Sequence, residues 1–135
     1  MAYLLDTNII TAIIKRDPKI TTKLEIVTRH QQKLFISGMT YYEIQRGLLA
    51  VNATRKLIDF EKLSHEYTIL LLDDMAIFKK ASEIYANLKQ RGLPIQDADI
   101  FIAATAIIHD LILVSHDSDL SRITGLKLEN WLKDE

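Results

Sequence analysis

The chain of 135 residues is long enough for one hydrophobic core and too short for two ordinary domains, so a single domain over residues 1–135 is expected. Its 48% apolar and 26% charged residues, with two prolines and four glycines, exclude a disordered, repetitive or linker-rich chain. The net charge of −1 excludes a generic polyanion binder, and the lack of cysteine excludes disulfides, thiol nucleophiles and thiolate metal sites.

No secretory leader is expected at the amino terminus, which lacks a basic start and a small-residue cleavage site. Nor does any apolar run reach the roughly 18 residues needed to span a bilayer. The longest, IFIAATAIIHDLILV, is interrupted by His109 and Asp110.

In chain order, Tyr3-Leu4-Leu5 reads as a short buried strand ending at Asp6. Asn8 to Lys15 has helical apolar spacing through Ile9, Ile10, Ile13 and Ile14, and Asp17-Pro18 breaks it and starts another helix. Leu34-Phe35-Ile36 is a second strand, followed by helices over Thr40 to Ala50 and Thr54 to about Ser64. Thr68 to Leu72 is a third strand, bounded by Asp73-Asp74. Met75 to Gln90 is a long helix that stops at Gly92, with Pro94 beyond. Asp97 to about His109 is an almost wholly apolar helix, hence buried on most sides. Leu111 to Ser115 is a fourth strand, and Leu126 to Leu128 is a candidate fifth.

Short apolar strands alternating with helices predict an α/β fold with a central, mainly parallel, four- to five-stranded sheet flanked by helices. Ligand sites in such sheets lie outside the carboxyl ends of the strands. Asp6 follows the first strand, Asp73 and Asp74 the third, and Asp117 the fourth.

Each acid also has a purely structural explanation. Thr40-Tyr41-Tyr42-Glu43 matches a capping box, and local sequence favours capping for Glu43. Asp97 and Asp99 stand in the first turn of the apolar helix, where acids favour the helix dipole and either is a candidate N-cap. Two acids are more than one cap requires. Asp117 is a candidate cap for a turn from Ser118 to Ile123, and Asp73-Asp74 is most simply a capped strand-to-helix turn. His116 beside Asp117 raises a base or metal ligand, although a lone histidine at a strand end is more often incidental.

The joint pattern strains these separate explanations. Asp6, Glu43, Asp99 and Asp117 each fall at a strand end or helix start on one edge of the expected sheet. Unpaired carboxylates in one pocket repel and raise one another's pKa values. A hard divalent cation removes that penalty, and oxygen-only ligands suit Mg²⁺ or Mn²⁺ rather than Zn²⁺. Such a pocket supports in-line attack of an activated water on a phosphodiester.

In sequence order, Leu4-Leu5-Asp6-Thr7-Asn8, Thr40-x-x-Glu43-x-x-x-Gly47, Asp99 to Ala106, and Leu113-Val114-Ser115-x-Asp117 together resemble the PIN-domain nucleases. The segment from Ile123 to Trp131 brings the chain nearer to VapC-type toxins of VapBC toxin–antitoxin systems, small Mg²⁺-dependent ribonucleases. The resemblance runs from Tyr3 to Trp131. It implies metal ligands and catalytic acids at Asp6, Glu43, Asp99 and Asp117, with Asp97 as an auxiliary ligand. Thr7 and Ser115 fall where the family carries a hydroxyl near the metal, although position 115 is more often Thr there. A cytoplasmic homodimer acting on RNA and silenced by a VapB-type antitoxin is implied as well, with Tyr41, Tyr42, Leu48 and Leu49 as the apolar flank such a partner would cover.

Two rivals stand beside this reading. One is a non-catalytic interaction domain whose acids only cap helices. The other is a phosphatase or receiver-like protein with an aspartyl nucleophile among Asp6, Asp73 and Asp74, which lacks a matching lysine-and-hydroxyl set.

Overall fold

Strand β1 (Ala2–Leu5) alternates its side chains between two apolar layers, and the rest of the molecule is arranged around it. The structure is a computed structural model that describes residues 1–133. Its sheet has five strands in the order β3-β2-β1-β4-β5, where β2 is Lys33–Ser37, β3 Thr68–Leu70, β4 Ile112–Val114 and β5 Leu128–Glu129. Every pairing is parallel. The expected fifth strand exists, and the sheet is wholly rather than mainly parallel.

Helices α1 (Thr7–Ile14), α2 (Pro18–Arg29), α3 (Gly38–Ala50), α4 (Thr54–Glu66), α5 (Met75–Gln90) and α6 (Asp97–Ile108) cover both faces. Leu4 and Leu113 point to the layer that holds Ile77, Ile84 and Leu88 of α5 and Ile102 of α6. Tyr3, Leu5 and Ile36 point the other way, onto Ile9, Ile20, Ile44 and Phe60. Leu4 and Leu5 are 0% exposed, which stabilises the fold by about 1.5–3 kcal/mol for each such side chain. A one-residue slip of β1 would exchange the two layers, so burial on both faces fixes its register.

Helix α6 meets its expectation: Ile100 and Ile102 to Ala106 are buried, and small alanines let it pack closely on α5 and the sheet. Trp131 closes the opposite layer edge-on against Tyr3, with ring centroids 5.2 Å apart. Helices α1, α2, α3, α5 and α6 all end in the same way. Arg16, Gln31, Asn52, Gly92 and Asp110 adopt positive φ, and the next amide bonds back to a carbonyl five residues earlier, as Leu93 does to Leu88 at 2.9 Å.

Several boundaries differ from expectation by one or two residues. Among them, β5 pairs over Leu128–Glu129 rather than Leu126 to Leu128, and α1 runs over Thr7–Ile14 rather than Asn8 to Lys15. β3 stops at Leu70 because its partner β2 stops at Ser37, and β4 pairs only over Ile112–Val114. Helix α3 starts at Gly38 rather than Thr40, because the buried Ser37 hydroxyl caps it by accepting from the Met39 amide at 3.1 Å. No helix of the described residues is long and apolar enough to cross a membrane.

Candidate active site

The parallel register brings the carboxyl ends of β1, β2 and β4 level, with Leu5 opposite both Ile36 and Val114. Whatever follows these three strands therefore converges on one edge. Asp6 follows the central strand, its amide still bonded to the Val114 carbonyl at 2.9 Å. It is 4% exposed, a costly position for a carboxylate without compensation.

The compensation is local. One carboxylate oxygen of Asp6 accepts from the Thr7 amide at 2.8 Å, which makes Asp6 the N-cap of α1. The other accepts from the Ser115 hydroxyl at 2.7 Å. Ser115 is itself held, since its Oγ accepts from the Asp117 amide at 3.0 Å and from Asn8 Nδ2 at 3.2 Å. The Asn8 side-chain oxygen in turn accepts from the His116 amide at 3.0 Å. Thr7, Asn8 and Ser115 thus lock the first turn of α1 to the end of β4.

Glu43 enters from α3. It does not form the capping box that Thr40 and Glu43 suggested, because Ser37 has that role and Thr40 lies inside the helix. Instead, Glu43 Oε1 accepts from the Thr7 hydroxyl at 2.9 Å, with the buried Thr40 hydroxyl 3.3 Å from the same Thr7 oxygen. Asp117 behaves as its local sequence suggested, capping the short 3₁₀ turn Ser118–Arg122 through the Asp119 amide at 2.9 Å. Asp99 is different. Gln96 stands at the N-cap position of α6 without a side-chain bond, and Asp99, half-buried, accepts no hydrogen bond from the described residues.

Electrostatics ties these acids together. Burial first, then the negative charges of Asp6, Asp117, Glu43 and Asp119, push the Asp99 carboxyl from an ordinary 3.8 up to about 6. Burial also pushes Asp6 upward, opposed by its bonds from Ser115 and Thr7 and assisted by the charges of Glu43 and Asp117. Asp6, Glu43, Asp99 and Asp117 therefore share one electrostatic neighbourhood.

Asp97 does not join it. That side chain lines a groove between α5 and α6 with Phe78, Tyr85 and Phe101. Two positions apart on a helix, residues 97 and 99 point about 200° apart. Asp119 is the fourth charge acting on Asp99, with Arg122 Nη2 3.0 Å from its carboxylate. A turn residue two beyond Asp117 was the available signal for it. The His116 ring faces Asn130, whose Nδ2 is 3.1 Å from Nδ1, and Asp74 caps α5 through the Ala76 amide at 2.8 Å.

The donor set is entirely oxygen and mutually repelling, which fits a hard divalent cation. As the side chains stand, no three acids or histidines of the described residues are gathered closely enough to hold one. Of the four acids, each except Asp99 accepts a hydrogen bond: Asp6 from Thr7 and Ser115, Glu43 from the Thr7 hydroxyl, and Asp117 from the Asp119 amide. Along α3, Tyr42 and Leu49 are each 55% exposed, while Tyr41 packs on Phe60 and Leu48 is half-buried.

The PIN domain family model matches residues 3–126. Ribonuclease VapC2 of Haemophilus influenzae is 34% identical over 140 residues, covering 98% of this chain and 99% of its own. Ribonuclease VapC1 of the same species is 30% identical, covering 98% and 100%. Among solved structures, VapBC2 from Rickettsia felis, bound to a DNA fragment from its promoter, superposes with a TM-score of 0.89 at 27% identity. It covers 97% of this chain and 99% of that one. VapBC-1 from nontypeable Haemophilus influenzae superposes with a TM-score of 0.84 at 27% identity, covering 98% and 100%.

Proposed function

The chain belongs to the PIN-domain family, and from that premise we propose that it is a metal-dependent endoribonuclease serving as the toxin of a toxin–antitoxin pair. The observation that carries the proposal is Asp99, a half-buried acid that caps nothing and accepts no hydrogen bond from the described residues. It is pushed upward by burial first and then by the charges of Asp6, Asp117, Glu43 and Asp119. The rival in which every acid is a helix cap accounts for Asp6 and Asp117 but not for Asp99 or Glu43.

Asp6, Glu43, Asp99 and Asp117 would hold Mg²⁺, with Mn²⁺ as a substitute. Bound there, the cation supplies the positive charge that this near-neutral chain lacks and activates water for attack at phosphorus. The chain's own residues prepare the place. Ser115 and Thr7 fix both oxygens of Asp6, so this ligand is oriented before anything binds. Thr7 also holds Glu43 against the first turn of α1, in reach of the cluster. The raised Asp99 carboxyl must release its proton to act as a ligand, which couples its ionisation to metal binding. Arg122 offsets the charge of Asp119 at the rim.

The partner is a small VapB-type antitoxin, as in the VapBC assemblies this chain resembles. Exposed Tyr42 and Leu49 on α3 offer it apolar contact beside Glu43, and a basic side chain would neutralise the acid cluster. A cytoplasmic homodimer completes the proposal.

Purified protein should cleave single-stranded or loop RNA in Mg²⁺ or Mn²⁺. Asp6→Asn, Glu43→Gln and Asp99→Asn should each lose nearly all cleavage and keep a cooperative melting transition. Full activity in excess chelator, or a wild-type rate in Asp6→Asn, refutes the proposal.

A further inference from the structure

A groove of about 210 Å³ opens from the acid cluster, and Thr7 and Glu43 belong to both. It follows α1 and α3, with Ile14 and Leu48 as apolar floor and Lys15 and Lys56 among its lining. Lys15 is eight residues beyond Thr7 along the direction of α1, about 12 Å at the helical rise.

Two features of this groove are unexplained by the fold. Lys15 and Lys56 are exposed and have no ion-pair partner among the described residues, although Arg55, next to Lys56, is 3.8 Å from Asp59. Gly47, also in the lining, sits inside α3, where glycine weakens a helix relative to alanine. A Cβ built there meets nothing within 4 Å. The missing side chain thus relieves no crowding within the chain, and what it leaves is open space over the groove.

We propose that this groove is the RNA subsite next to the scissile bond, with Lys15 and Lys56 on backbone phosphates and one base on the apolar floor over Gly47. The inference rests on the ribonuclease reading above. Its support is charge and continuity. A polyanion reaching carboxylates in a chain of net charge −1 needs local cations. These two lysines are unpaired and line a groove shared with the cluster. The aliphatic floor of Ile14 and Leu48 offers a base face apolar contact and no hydrogen-bond pattern with which to read its sequence.

The test is equilibrium binding of a fluorescent, mixed-sequence single-stranded RNA to the full chain in an Asp6→Asn background, across a salt series. Each phosphate contact on a single strand contributes about 0.7 to the slope of log affinity against log salt. Lys15→Ala with Lys56→Ala should therefore flatten the slope by about 1.4. From 50 to 200 mM salt the parent should lose about sevenfold more affinity than the double variant. Lys33→Ala, at the opposite end of the sheet, should leave the slope unchanged. Gly47→Leu should weaken binding at an unchanged slope, because it fills space without removing charge.

An unchanged slope in the double lysine variant overturns the proposal. So does unchanged RNA binding accompanied by loss of silencing by the partner protein, which would make the groove the partner's seat. If the parent binds RNA but wild type cleaves none with Mg²⁺ or Mn²⁺, the ribonuclease reading fails instead.

Discussion

Replacing Asp99 by Asn separates a metal ligand from a helix starter by stability alone. A carboxyl raised from 3.8 to about 6 carries an ionisation penalty of about 3 kcal/mol at neutral pH, at about 1.4 kcal/mol per unit. The side chain is half-buried, so screening by water reduces this to about 1.5 kcal/mol. Losing a charge from the first turn of α6 forfeits about 0.5 kcal/mol of dipole interaction. About 1 kcal/mol remains in favour of Asp99→Asn in chelator at pH 7. With an unfolding entropy of about 2.1 cal/mol/K for each of 135 residues, that is a rise in Tm of about 3–4 °C. The sign follows from linkage. Between about pH 4 and 6 the folded state holds more protons at Asp99 than the unfolded state, so the wild type loses stability as pH rises through that window. The advantage of the variant should therefore be full at pH 7 and vanish below about pH 3.5. Adding Mg²⁺ at a hundredfold excess over its Kd should stabilise the wild type by about 2.7 kcal/mol, and most of that gain should disappear in the variant. Melting curves of both proteins, with chelator and with Mg²⁺, at neutral and acid pH, decide the matter. A less stable Asp99→Asn at pH 7, or equal Mg²⁺ shifts, would return Asp99 to starting a helix.

Two further substitutions test the surroundings. Ser115→Ala removes a hydrogen bond to a buried carboxylate and should cost about 1.5–3 kcal/mol at pH 7 by urea denaturation. Because Asp6 would then be raised further, the deficit should shrink as acid protonates it, and an equal deficit at both pH values would refute the assignment. Asp74→Ala removes an N-cap and should cost about 1 kcal/mol while leaving RNA cleavage unchanged. A parallel loss of activity would put Asp74 in the site.

The fold was legible where one signal stood alone. Asp74 before Met75 and Gly92 after Arg91 bracket α5, and its observed limits match the expected ones. It was less legible where two signals overlapped. Thr40 and Glu43 have capping-box spacing, but Ser37 caps a helix that already starts at Gly38, which leaves Thr40 inside the first turn. Asp97 shows a different limit. Closeness in sequence grouped it with Asp99, whereas the turn of a helix sends the two to opposite sides, which helical spacing alone could have told. The shared electrostatic neighbourhood of Asp6, Glu43, Asp99 and Asp117 depended on strand order. Nothing in the local pattern says that β1 lies between β2 and β4, because that is decided by which apolar faces find cover across the whole chain.

The central position of β1 also has a consequence in time. During synthesis it is the first of the five strands made, yet one of its two neighbours, β4, spans residues 112 to 114. The Ser115 hydroxyl that holds Asp6 and the Asp117 carboxylate come later still. A nascent chain that stops short of these residues has β1 with one bare edge and Asp6 without its main donor. Such a fragment has no route to the assembled cluster, since long-range pairing must precede it. The four carboxylates can come under one another's field only once synthesis has passed Asp117.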